Sequence, residues 1–310
     1  MPTVIPPADK LPLIARKNLR DTWEPKKPEL EAELSQVMGV PWKLDINPNA
    51  IWVYAQADSW ESKNIGTRII SYLESAILSI KTWFEPGNHG DGGREEMNKV
   101  CSKHALTIAM DESGKIRTCG CDVKDGVLRI LFNEKYLGMD HYSALSDLER
   151  ALSDAADTSL PLSYAARISI QKYWETSETD IEARISKALQ NPAIKLTPNF
   201  EEVYAALKAE PAVTKNDGWD ANIGGAMREY FERFAWHLED KKFGEDEMLR
   251  EGFEEVVPEG EIKFRIVKEL APGGHICQSV IEDGILYMQS TAKYFGYDSS
   301  NVGTNIIDLL

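Results

Sequence analysis

The sequence repeats itself once, and the period of that repeat decides what the chain can fold into. Asp58-Ser59-Trp60-Glu61, followed by Asn64-Ile65-Gly66, returns as Asp217-Gly218-Trp219-Asp220, followed by Asn222-Ile223-Gly224. From there the copies run without a gap at an offset of 158, the distance from Gly66 to Gly224. Cys119 falls on Cys277, Asp125-Gly126 on Asp283-Gly284, and Lys135-Tyr136-Leu137-Gly138 on Lys293-Tyr294-Phe295-Gly296. Upstream, Trp23 falls on Trp174, Pro41 on Pro192, and Val53-Tyr54-Ala55 on Val203-Tyr204-Ala205, at offsets of 150 to 151. Solenoid repeats recur every 20 to 50 residues or so. A period three times longer implies a duplicated α+β domain rather than an array. The expected organisation is an N-terminal arm over residues 1–10, a first repeat over 11–155 and a second over 160–310, with the boundary in Asp154 to Leu160.

Each repeat carries readable elements. Ile65, Ile69, Tyr72, Ala76, Ile80 and Trp83 recur at helical spacing, matched by Ile223, Met227, Tyr230, Phe234 and Leu238, which predicts one long amphipathic helix per unit. Asn64 and Asn222 stand one residue before these stripes, where an Asn side chain can cap the first turn. Shorter helices are expected over Leu30 to Met38 and Ile181 to Leu189.

After a variable loop, Leu106, Ile108 and Met110 alternate with smaller residues, Asp111 to Gly114 reads as a turn, and Ile116 to Val123 as a strand. Asp125-Gly126 suits a tight hairpin before Val127 to Phe132. The second repeat offers Phe264 to Val267, the turn Ala271 to Gly274, Ile276 to Ile281, Asp283-Gly284 and Ile285 to Met288. This pattern predicts a three-stranded antiparallel meander on a long helix in each unit. Pairing of meander edges across the units would give a pseudo-twofold, two-lobed protein.

Composition narrows the functional classes. Hydrophobic residues make up 43% and charged residues 27%, as in ordinary globular domains. Acidic residues outnumber basic ones, 50 to 35, and a net charge of -15 disfavours nucleic acid and anionic membrane surfaces as partners. The first 17 residues hold no continuous apolar run of signal-peptide length, and no later stretch suggests a membrane span. Four cysteines and no Asn-x-Ser/Thr sequon fit a reducing, cytoplasmic setting.

No catalytic motif stands out. Cys101-x2-His104 with Cys119-x-Cys121 supplies four soft ligands suited to zinc, but the second repeat has Glu259, Ile262, Cys277 and Ser279 there. Cys119 then reads more simply as a small core residue, and no metal or other cofactor is expected. The stretch Pro86 to Gly93 reads as an exposed loop, in which His89 and Asp91 could form an acid–base pair. It lacks the Gly-Lys-Ser/Thr of a phosphate loop.

The matched polar and aromatic positions remain. Trp60 and Asn64, with Trp219 and Asn222, precede helix N-termini whose N–H groups favour an acidic ligand group, and Tyr136 and Tyr294 follow the last strands. These six residues are the expected binding set. They suggest a binding protein that takes a small organic molecule or a protein partner between or beside the lobes. The alternative is a cofactor-free lyase, isomerase or hydrolase working from the first unit through Asp58, His104, Lys135, Tyr136, Asp140 and His141. Asymmetry separates the two, because His104 and His141 are replaced by Ile262 and Ser299 in the second repeat. A structural subunit of a larger assembly is a third reading.

Overall fold

In a computed structural model, residues 2–85, 88–216, 218–271 and 276–310 are described, and the chain divides into two compact units, Met1–Asp157 and Thr158–Leu310. In the first unit the main elements are α1 (Glu24–Met38), β1 (Lys43–Leu44), α2 (Pro48–Trp52), α3 (Ile65–Trp83), α4 (Gly90–Val100), β2 (Ala105–Met110), β3 (Cys119–Lys124), β4 (Val127–Phe132) and α5 (Leu148–Ala155). In the second they are α6 (Glu178–Leu189), β5 (Lys195–Thr197), α7 (Phe200–Lys208), α8 (Ile223–Asp240), α9 (Glu247–Val256), β6 (Glu261–Val267), β7 (Cys277–Glu282) and β8 (Ile285–Thr291). The fold is mixed α and β, with a four-stranded sheet in each unit. Among the described residues no helix is long and apolar enough to cross a membrane.

The long helices bury the stripes that predict them. Ile65, Ile69, Tyr72, Ala76 and Ile80 are almost wholly buried in α3, as are Ile223, Met227, Tyr230, Phe234 and Leu238 in α8. Each such side chain contributes roughly 1.5–3 kcal/mol through removal of apolar surface from water. In the second unit the Tyr230 ring lies 4.6 Å from that of Phe264, joining α8 to β6.

The strand order differs from the predicted meander. The sheets read β1-β2-β4-β3 and β5-β6-β8-β7, with the same directions in both. The hairpins β3–β4 and β7–β8 form as expected. Their Asp-Gly turns take positive φ at both positions, 53° and 76° in the first unit and 51° and 77° in the second. The first strand of the expected meander, however, does not pair with the second. β2 runs parallel to β4, and β6 parallel to β8.

The reason lies in the connection after β2. Asp111 accepts hydrogen bonds from the amides of Ser113 and Ile116 and from the Ser113 hydroxyl, organising a turn that delivers no hairpin partner. Strand β3 begins only at Cys119, so the link is long enough to step past one strand position, which β4 then fills. The corresponding turn of the second repeat falls largely on residues 272–275, outside the described residues.

The edges also differ from expectation. A short parallel strand, β1 or β5, is added beside β2 or β6. Each sheet consists of strands of its own unit, so the edge-to-edge pairing across units is not formed among the described residues. The β3 edge is instead packed by α5 within the first unit.

The N-termini of the long helices are capped through space. Asn64 and Asn222 make no side-chain cap bond. The Asn64 amide donates to the Trp60 carbonyl instead. The first-turn amides of Gly66 and Thr67 donate to Asn18 Oδ1, at 2.7 and 3.2 Å, and that of Gly224 donates to the Ser169 hydroxyl. Both capping residues adjoin loosely wound π turns, Leu19–Trp23 and Ile170–Glu175, which lie against the long helices. Asn18→Ala should therefore lower stability by about 1 kcal/mol, whereas Asn64→Ala should cost clearly less. Urea denaturation of the two variants checks this, and the opposite order would return the cap to Asn64.

Candidate functional site

The strand order puts three parallel strands in each sheet, whose C-terminal ends share one edge. Ligands of open α/β sheets commonly lie outside such ends. Here each unit has a cavity at that place. In the first unit it measures about 340 Å³ and is lined by Tyr54, Gln56, Glu61, Lys135, Tyr136 and Met139, among others. In the second it measures about 850 Å³, with Ala206, Ile266, Thr291, Lys293 and Tyr294 in its wall. The repeated Lys-Tyr pair lines both.

Glu61, in the wall of the first cavity, lies in a short helical turn just before α3. Ser59 accepts the amide of Ser62 and starts the short turn Trp60–Lys63. Trp60 is 50% exposed, and the Arg68 guanidinium lies over its ring at 4.9 Å. Arg68 reaches Glu61 at 3.1 Å, while its Nε is buried with no hydrogen-bond partner among the described residues. Behind it stands Gly138, at φ 87°, where a Cβ would lie 2.4 Å from Arg68 Nε. A glycine is required there on both counts. The Gly138 amide donates to Tyr72 Oη at 2.8 Å, fixing the segment that carries Lys135 and Tyr136. Tyr230 and Gly296 repeat this bond at 3.0 Å.

The matched tryptophans are not equivalent. Position 68 is an arginine in the first unit, and its counterpart is Ala226. Without the cation, Trp219 is half-buried and packs on Tyr204, with ring centroids 5.0 Å apart. Trp219 thus anchors a loop, whereas Trp60 offers an open face. Trp60, Asn64, Trp219 and Asn222 line neither cavity, and the α3 amides expected to receive an acidic ligand are already held by Asn18. Asp217 lies outside the described residues.

The six candidate acid–base residues are not assembled. Lys135 and Tyr136 line the cavity, but His104 stacks on Trp42, 6.0 Å between ring centroids. Asp140 accepts from the Tyr142 hydroxyl, and His141 lies edge-on to Tyr72. Among the described residues no hydrogen bond or ion pair joins any two of Asp58, His104, Lys135, Tyr136, Asp140 and His141. Nor do His89 and Asp91 form a free loop pair. Gly90 to Gly93 open α4, Asp91 pairs with Arg94 at 2.6 Å, and His89 stacks on Trp83; Pro86 and Gly87 lie outside the described residues.

The zinc ligand set Cys101, His104, Cys119 and Cys121 does not converge either. Among the described residues no group of three or more His, Cys, Asp or Glu side chains is placed to hold a metal ion. Cys119 donates its S–H to the Asp140 carbonyl, and Cys277 repeats the contact with Asp298, which explains the repeated cysteine by structure alone. Residues that sequence reasoning missed are Arg68, Glu61, Tyr54, Gln56 and Met139. Arg68 left no signal in the sequence, because most positions of the two long helices differ between the repeats. No known protein family, curated protein or solved structure matches the chain.

Burial pushes the thiols up, to about 12 for Cys101 and Cys121 and about 11 for Cys277. The folded state thus favours the neutral thiol. That stabilisation is complete below pH 9, the ordinary value, and is lost as pH rises through the folded values. Urea midpoints should therefore fall above pH 9. At pH 8 a thiol reagent should leave Cys101, Cys121 and Cys277 unmodified until denaturant is added, and rapid labelling of any of them in native protein would contradict their burial.

Proposed function

We propose that the protein is a non-catalytic binding protein, grown by tandem duplication of one α+β unit, that holds a small organic ligand bearing an acidic group. The ligand lies in the first-unit cavity, against Lys135 and Tyr136, with Trp60 next in sequence to the lining residue Glu61. One observation carries this reading: the Lys-Tyr pair after the last strand lines a cavity in both units, although the two sequences around it have diverged. A role in turn formation alone would not require a cavity at either place.

The wall chemistry supports a compact acid. Lys135 has no carboxylate partner among the described residues, so its ammonium can take a ligand carboxylate, while Arg68 is already engaged with Glu61. Tyr54, Tyr136 and Met139 supply the apolar contact that orients a small ring or chain. The net charge of -15 opposes polyanions at long range, which favours a singly charged ligand of cavity size. Of the acid–base candidates only Lys135 and Tyr136 line this cavity, which favours binding over chemistry.

Benzoate and phenylacetate, titrated while tryptophan emission is followed, provide the test. Saturable quenching is expected, and Trp60→Phe should remove most of it while lowering stability by about 1 kcal/mol or less, because the ring is only half-buried. Lys135→Ala should weaken binding about tenfold, near 1.4 kcal/mol. If neither Lys135→Ala nor Tyr136→Ala changes the affinity of either acid, the first-unit cavity is not the site and the reading fails.

A further inference from the structure

The two cavities differ in charge as well as in volume. Among the described residues, the charged groups lining the first are Glu61 and Lys135, and Glu61 is already paired with Arg68, which leaves the Lys135 ammonium to act alone. The second is lined by Lys268 and Lys293 against Glu210 and Glu269, and these charges cancel. Two of them are also engaged before any ligand arrives. The Lys293 ammonium rests over the Tyr294 ring at 5.0 Å, and Glu210 accepts the Ala212 amide at 3.0 Å.

Apart from these charges the wall is mostly apolar. The cavity sits at the last parallel pair of the second sheet, Val267 beside Thr291, with α7 contributing from one side. Ala206, Ile266, Val267, Leu270 and Ala292, all half-buried, supply the wall. Ala206 stands where the first unit has Gln56, and Ala292 where it has Glu134. The second unit thus presents methyl groups at positions where the first presents an amide and a carboxylate.

One polar group is set into that wall without a partner. Thr291 ends β8 and is half-buried, and its hydroxyl is turned inward with no hydrogen-bond partner among the described residues. Its counterpart Asn133 makes two bonds: the side-chain amide donates to the Ile116 carbonyl at 2.9 Å, and the side-chain oxygen accepts the Lys135 amide at 3.0 Å. A buried hydroxyl without a partner is destabilising, and a staggered rotation about χ1 would turn it toward the cavity, where a ligand oxygen supplies the missing bond.

We infer that the second-unit cavity is a second ligand site, for an uncharged and mostly apolar small molecule that bears one hydroxyl or carbonyl oxygen. The apolar body lies against Ile266, Val267 and Leu270, and the oxygen meets Thr291. A cavity of about 850 Å³ falls within the range of roughly 300–1,000 Å³ common to small-molecule sites. A carboxylate would give up its water there against an apolar wall whose charges cancel, and the net charge of -15 opposes it at long range. The inference rests on the reading of the molecule as a binding protein, but it concerns a different cavity and a different ligand class.

The probes are 1-decanol and decanoate, which share a chain and differ in charge, titrated calorimetrically into the full chain. One decanol should bind per chain, with or without saturating benzoate, and decanoate should bind the benzoate-saturated protein about tenfold more weakly. Ala206→Phe and Ala292→Phe, each shown to fold by circular dichroism, should weaken decanol by about tenfold or more. Thr291→Val, which keeps the shape and removes the hydroxyl, should weaken decanol about tenfold without lowering the thermal midpoint, because no bond within the protein is lost. No saturable decanol binding, decanoate binding as tight as that of decanol, a decanol affinity untouched by the Phe variants or by Thr291→Val, or a lowered Thr291→Val midpoint overturns the inference. Decanol binding absent while benzoate binds would remove this site and leave the first-unit reading standing. Benzoate binding absent while decanol binds would do the reverse.

Discussion

Each unit depends on a close crossing between its first helical segment and its long helix. At Gly66 an added Cβ would lie 3.1 Å from the Leu19 Cα, and at Gly224 only 2.2 Å from the Ser169 carbonyl oxygen. The backbones approach so nearly because glycine leaves the space, and the approach brings Asn18 and Ser169 onto the free amides of the next helix. The π turns that follow the capping residues carry Trp23 and Trp174 into the core. Capping, close packing and tryptophan burial are therefore one feature, and the direction of α3 and α8 follows from it. Through Tyr72 and Tyr230, those helices in turn hold the glycine amides at Gly138 and Gly296, behind the segments that line both cavities.

The second constraint is the insertion of β4 and β8 between strands adjacent in sequence. It makes three strands of each sheet parallel and gathers their C-terminal ends, where the free backbone groups and the loops after β4 and β8 meet. A meander would have put alternate strand ends on opposite edges and left no common rim. The two units also differ beside the long helices, where position 68 is an arginine and its counterpart 226 an alanine. In one, a cation holds a tryptophan outward; in the other, the tryptophan folds back onto Tyr204.

Much of this was legible in the sequence. The apolar stripes of Ile65 to Trp83 and Ile223 to Leu238 specify the helices because burial on one face needs that period, and Asp-Gly specifies the hairpins because only positive φ closes them. The strand order was not legible, since alternation reports which face is buried and not which neighbour is paired. Asn64 misled for a related reason. Its position suits a local cap, but Asn18, far away in sequence, already occupies the amides, and spacing carries no record of that. Of the candidate site, Trp60, Lys135 and Tyr136 were found because they repeat, whereas Arg68 escaped notice because it does not. A repeat directs the eye to shared residues, and those serve the fold as often as the ligand.

A chain that holds two sheets of one order must also keep their hairpins from changing places during folding. The ion pairs on the two sheet surfaces differ in a way that favours this. In the first unit Arg129 on β4 grips Asp122 on β3, within the hairpin itself. In the second, Arg265 on β6 reaches across β8 to Glu282 on β7, taking Gln289 on the way and lying 4.1 Å from the Tyr287 ring. Were the first hairpin to dock beside β6, the fixed register would replace Tyr287 by Arg129, Gln289 by Leu131 and Glu282 by Lys124. Arg265 would then lose both of its acceptors and face Lys124 in place of Glu282, while Asp122 stays engaged by Arg129. Like charges on neighbouring strands oppose pairing, so the exchanged hairpin is the less favourable partner. The two sheets thus carry their arginines on different strands, and each hairpin matches the charges of its own sheet better than those of the other.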